Sequence, residues 1–155
     1  MRLNESSAMG VQTDIVIASL NEAQAIADTA TPTVDWTGFT FNGFHHVQLC
    51  TLLSLLATGG PHTDFERYLG VIEVASGPTE EGPIVFAVKP EQVAELAAVA
   101  ELEDNEFEAL ATLWGSTDEF AHWSASDVRE LLRELGDLAE SALLQAKCLM
   151  IWQSL

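Results

Sequence analysis

Basic side chains are scarce in this chain. Six Lys and Arg stand against 24 Asp and Glu over 155 residues, a formal net charge of −18. A surface this negative repels phosphate backbones and anionic lipid headgroups, so neither nucleic-acid binding nor membrane docking is expected. Long apolar runs are missing as well. Hydrophobic residues make up 48% of the chain, yet no stretch approaches the roughly 18 residues that a transmembrane helix needs. Met1 to Gly10 is polar and lacks the basic and apolar regions of a signal peptide. A cytoplasmic protein with a flexible arm over residues 1–10 and one globular domain over 11–155 is therefore expected. There are two cysteines, Cys50 and Cys148, both in apolar segments where a reduced, packed thiol is the ordinary state.

The short motifs that announce chemistry are also absent. The chain has no phosphate-binding loop, no Gly-x-Ser-x-Gly elbow, no Cys-x-x-Cys pair, no His-Glu-x-x-His helix and no dinucleotide fingerprint. No metal and no cofactor is predicted. The balance moves from enzyme toward binding module, although scattered residues can form a site that leaves no local motif.

What the chain does have is strong secondary-structure patterning, most of all from Trp114 onward. Leu131, Leu132, Leu135, Leu138, Ala139, Ala142, Leu143 and Ala146 recur every three or four residues and draw one apolar stripe on a long helix. Ser124 is a good N-cap, with Asp127 three residues on as in a capping box. Trp123 and Val128 hold the positions of a hydrophobic staple. After Lys147 the polar spacing stops, and Cys148–Trp152 reads as a buried strand.

Earlier in the chain, Val11–Ala18 reads as a strand, and Ser19 with Glu22 places a capping box at the start of a short helix. Thr29 to Gly43 is punctuated by Pro32, Gly38 and Gly43 and reads as a loop packing Trp36, Phe39 and Phe41 onto the core. Phe44 to Thr58 is apolar almost all round, as befits a central helix ended by Gly59-Gly60-Pro61. Val71–Val74 suggests a brief extended piece, and 75–83 is dense in turn residues. Ile84–Val88 is a continuous apolar strand, and Pro90 suits the first position of the next helix. A further helix is expected over Glu106–Leu113. The predicted architecture is α+β: a small mixed sheet including the N-terminal and C-terminal strands, covered by the central apolar helix and the long C-terminal amphipathic helix.

The order of these elements, with Trp36 before the apolar helix that runs from Leu49 to Gly59, resembles the small uncharacterised acidic bacterial proteins of the YfbM type. The tail Leu113 to Phe120, followed by Trp123 and Asp127-Val128, is similar to tails of uncharacterised acidic bacterial proteins. The resemblance implies a compact α+β domain and carries no catalytic residues across.

Several residues invite chemical readings. His46 and Cys50, four apart on one helix, have a spacing that can bind a metal, and with His45 and His62 they sketch a ligand site. Cys50 activated by His46 would be a nucleophile only in an exposed, electropositive setting. The tryptophans read first as core packing, and the place to look for a pocket is where Trp36, His45 and His62 approach the Gly59-Gly60-Pro61 turn. Glu119 and His122 have the Glu-x-x-His spacing of di-iron bundles, but no second such motif accompanies them.

The remaining feature is charge. Seven acids lie between Glu91 and Glu108 and seven between Asp118 and Glu140, against only Arg129 and Arg133. Glu130, Glu134, Asp137 and Glu140 point away from the stripe of the long helix. They favour a non-enzymatic module, of inhibitory or immunity type, that offers an acidic helical face to a basic protein partner. The competing expectation is a small-molecule or metal-dependent enzyme built around His45, His46 and His62. Oligomeric state is not encoded in any local pattern.

Overall fold

The computed structural model describes residues 12–58, 71–77, 79 and 82–154. The expected arm over residues 1–10 and the predicted turn and histidine at Gly59–His62 lie outside them.

Alternating side chains on β1, Gln12–Ala18, are apolar on both sides, which calls for cover on both faces of a sheet. That sheet has five strands in the order β2-β1-β5-β4-β3, where β2 is Gly38–Asn42, β3 Val71–Ser76, β4 Ile84–Val88 and β5 Cys148–Ser154. Every neighbouring pair is antiparallel, so the expected mixed sheet is corrected to an antiparallel one. The connections explain this. Val88 at the end of β4 pairs with Leu149 near the start of β5. The chain therefore re-enters the sheet at the end where it left, and the two strands run in opposite directions.

One face carries the main core. Ile15, Ile17, Phe86, Val88, Leu149 and Ile151 join the central helix α3, His46–Thr58, and three further helices: α4, Pro90–Ala97, α5, Asp104–Gly115, and α6, Ala125–Leu144. The other face carries Val16, Ala18, Val85, Ala87, Met150 and Trp152. Two short helices that precede α3 lie on that side, α1 over Ala23–Ala27 and α2 over Pro32–Asp35. The α+β class, the inclusion of the N-terminal and C-terminal strands in the sheet and the two covering helices agree with the sequence pattern.

The long helix is specified as its sequence suggests. Ser124 Oγ accepts from the Asp127 amide at 3.0 Å, and Val128, Leu131, Leu132, Leu135, Leu138, Ala139 and Ala142 are buried. Trp123 and Val128 both belong to the main core. The stripe stops earlier than the periodicity predicts: the helix ends at Leu144, and Leu143 and Ala146 are exposed.

Two other segments differ from expectation. The loop predicted over Thr29–Gly43 contains α2 and the edge strand β2, because Phe39 and Phe41 pack with the main core while Thr40 faces the other way toward Asp14. Gly38 is there for close approach rather than for a turn. A Cβ on it would lie 1.9 Å from the Ile15 carbonyl oxygen. The extended piece at Val71–Val74 is a full edge strand whose register shifts between Glu73 and Ala75, a bulge of the kind that discourages edge-to-edge pairing.

Candidate functional site

Buried polar side chains gather where the chain enters α3. Thr13, Gln48, Thr51 and Gln153 are all buried, and each has a partner. The first amides of a helix have no intrahelical acceptor and must find one elsewhere. At α3 that role falls to two glutamines: Gln48 Oε1 accepts from the His45 amide at 2.6 Å, and Gln153 Oε1 accepts from the His46 amide at 3.0 Å. Thr13 Oγ1 donates to the Phe44 carbonyl.

Gln48 and Thr51 also fasten α3 to the segment before α6. Gln48 Nε2 donates to the Glu119 carbonyl at 3.1 Å, and Thr51 Oγ1 lies 3.3 Å from a Glu119 carboxylate oxygen. Trp114 Nε1 donates to the Gln48 carbonyl at 3.0 Å. Around these bonds an aromatic chain runs from Phe39 through Phe41, Trp123, Phe120 and Trp114 to Phe44, with ring centroids 4.7 to 6.4 Å apart. The tryptophans at 114 and 123 are thus packing and anchoring groups. Glu119 sits in the short turn Asp118–Phe120 and is engaged by Thr51, while His122 is exposed.

His46 is the candidate with the most specific surroundings. Its ring stacks on Phe86, and its Nδ1 lies 3.3 Å from Gln153 Oε1, which as an acceptor calls for a proton on Nδ1. Burial pushes the imidazole below its ordinary range, against a smaller upward pull from Gln153 and a further push down from His45. The neutral ring is favoured. His45 is exposed and contributes its backbone amide. Cys50, one turn on, is buried in the main core, and burial pushes its thiol up to about 11. That is the reverse of the electropositive setting an activated thiol needs, so the nucleophile reading is overturned.

Trp36 does not join the histidines. It packs with the cluster on the opposite face of the sheet, and its Nε1 donates to Glu22 Oε2 at 3.3 Å. Trp36 is thus not brought together with His45 and His46, while His62 and the Gly59-Gly60-Pro61 turn lie outside the described residues. Cys50 and Cys148 are likewise divided between the two faces, and both are free thiols. Among the described residues, no group of three or more His, Cys, Asp or Glu is placed to hold a metal.

Asp14, in the middle of β1, is a buried carboxyl. It faces the second cluster, accepts from Thr40 Oγ1 at 2.9 Å and Gln12 Nε2 at 3.3 Å, and is raised by burial.

The helical layer presents a different surface. Glu130, Glu134 and Asp137 are exposed along the outside of α6. Glu140 turns toward the helical turn Ala98–Glu101. There a hydrogen bond with Glu101, then burial and the like charges of Glu101 and Asp137, raise its carboxyl. The few cations nearby are held close to the surface. Arg129 lies 3.7 Å from Glu108, and Arg133 spreads over the Phe107 ring at 4.5 Å, beside a small cleft shared with Asp104 and Asp137. No described helix is long and apolar enough to cross a membrane. Comparison with protein-family models, curated proteins and solved structures finds no match to this chain.

Proposed function

We infer that the chain is a non-enzymatic protein-binding module, of inhibitory or immunity type, whose acidic helical layer receives a basic surface on a partner protein. One observation carries this reading. Glu130, Glu134 and Asp137 stand exposed in a row on α6 with no ion pair among the described residues, where the one recorded pair joins Arg129 to Glu108. Surface carboxylates left uncompensated raise the association rate of a positively charged partner and exclude negative ones. Glu140 is raised first by its hydrogen bond with Glu101, and the like charges of Glu101 and Asp137 add to that. The histidine region lends less to function, because the His45 and His46 amides serve to cap α3 and the His46 ring is stacked on Phe86 beside Gln153.

The test is affinity capture at about 50 and 300 mM salt with the native chain and with Glu130→Lys/Glu134→Lys/Asp137→Lys. A basic protein held by the native chain at low salt and released by the triple reversal is the expected result. No specific partner at either ionic strength, or one retained equally by the reversed chain, would sink the reading.

A further inference from the structure

The end of α6 is closed by a turn in which the Lys147 amide donates to the Ala142 carbonyl at 2.9 Å and the Ala146 amide to the Leu143 carbonyl at 3.1 Å. Helices that end this way commonly cover the turn with an apolar residue folded back onto the last helical turn. Here that position is Lys147, a charged and exposed residue. Leu143 is 48% exposed and Leu144 84%.

The same end of the sheet carries another uncovered leucine. Ala18 pairs with Cys148, so Leu20, 57% exposed, leaves β1 beside the start of β5. Both lysines of the chain are here too, since Lys89 follows β4 and Lys147 precedes β5 where Val88 pairs with Leu149. Glu22 supplies a negative charge. The Ser19 amide and Trp36 hold its carboxyl low, and the charge of Lys147 adds to them.

Exposed leucines and both signs of charge thus lie at one end of the sheet in a chain whose helical layer is strongly acidic. Self-association through α5 and α6 would set carboxylates against carboxylates. Two copies brought together at this corner would set leucine against leucine and lysine against glutamate, as the self-complementary contact of a twofold pair requires. We propose that a second copy of the chain covers this corner across a twofold axis, burying Leu20, Leu143 and Leu144 of both copies and setting Lys147 of each against Glu22 of the other.

Sedimentation equilibrium of the full chain over a wide concentration range tests this, in low salt and in about 0.5 M salt, where the repulsion between acidic surfaces is screened. The expected result is a monomer–dimer equilibrium that persists in high salt and weakens at least about tenfold in Leu144→Asp. Because Leu144 is 84% exposed, that variant keeps its fold, and an unchanged circular dichroism spectrum and melting midpoint verify it. Lys147→Glu, which sets like charges across the axis, is the second variant and weakens association more in low salt than in high. A monomer at every concentration overturns the proposal, as does a dimer that neither substitution weakens.

Discussion

The His46 ring lies flat against Phe86, with centroids 4.0 Å apart and planes 17° from parallel. The contact holds the first turn of α3 on β4, while Gln153 of β5 accepts from the His46 amide. Helix entry and sheet are thus joined through one residue whose ring is neutral in the fold.

A pH dependence follows from that neutrality. Burial lowers the folded imidazole below its ordinary value of 6.5, so the unfolded chain takes up the proton first as pH falls. The His46 contribution is fully present above about 6.5 and is lost as pH drops through the depressed folded value. Thermal melts from pH 7.5 to 5 are expected to show a fall in midpoint that is smaller in His46→Gln. Equal slopes in the two proteins would show that the ring titrates alike in both states.

How much of this was legible in the sequence depends on the range of the interactions. The strands Ile84–Val88 and Cys148–Trp152, the stripe of α6 and the Ser124 cap rest on neighbours within a few residues, and local spacing shows them. The strand β2 was hidden because its glycine, ordinarily turn punctuation, is needed for contact with Ile15 on another strand. The site was less legible still. Gln153 caps a helix 107 residues away and Gln48 reaches Glu119 across 71, partners that no local pattern supplies. Trp36 and His46 fall on opposite faces through the strand order and register of the sheet, which a single sequence does not spell out.

Gly38→Ala probes the close approach directly. The added Cβ would meet backbone, the Ile15 carbonyl oxygen at 1.9 Å and the Val16 Cα at 2.8 Å, with no flexible side chain to move aside. Separation of β2 from β1 is the available relief, and a loss of more than about 3 kcal/mol in urea unfolding is expected. A loss below about 1 kcal/mol would mean that β2 does not pack as closely on β1 as described.

Leu135→Asp and Leu143→Asp separate buried from apparent stripe. Both positions fit the apolar periodicity of the long helix, but Leu135 is 0% exposed and Leu143 48%. A carboxylate at Leu135 enters the main core without a partner and should cost more than about 4 kcal/mol, enough to unfold a marginal domain. At Leu143 the expected loss is under about 1 kcal/mol. Melting midpoints that fall equally in the two variants would contradict the end assigned to α6.

Ala146→Gly should make the protein more stable. Ala146 has φ +57°, in the left-handed region that costs an L-residue with a Cβ roughly 1 kcal/mol and costs glycine little. The conformation is imposed by the two hydrogen bonds that end α6, from the amides of Ala146 and Lys147, and these need no side chain at position 146. Glycine also gains freedom in the unfolded chain, which offsets part of the relief. A net gain of about 0.5 kcal/mol is expected, read as a higher urea midpoint at an unchanged slope. The test bears on the proposed dimer as well, since the turn sets where Leu143 and Leu144 project. If the turn is as described, Ala146→Gly raises the midpoint and leaves the monomer–dimer equilibrium in place, whereas Leu144→Asp weakens the equilibrium and leaves the midpoint where it was.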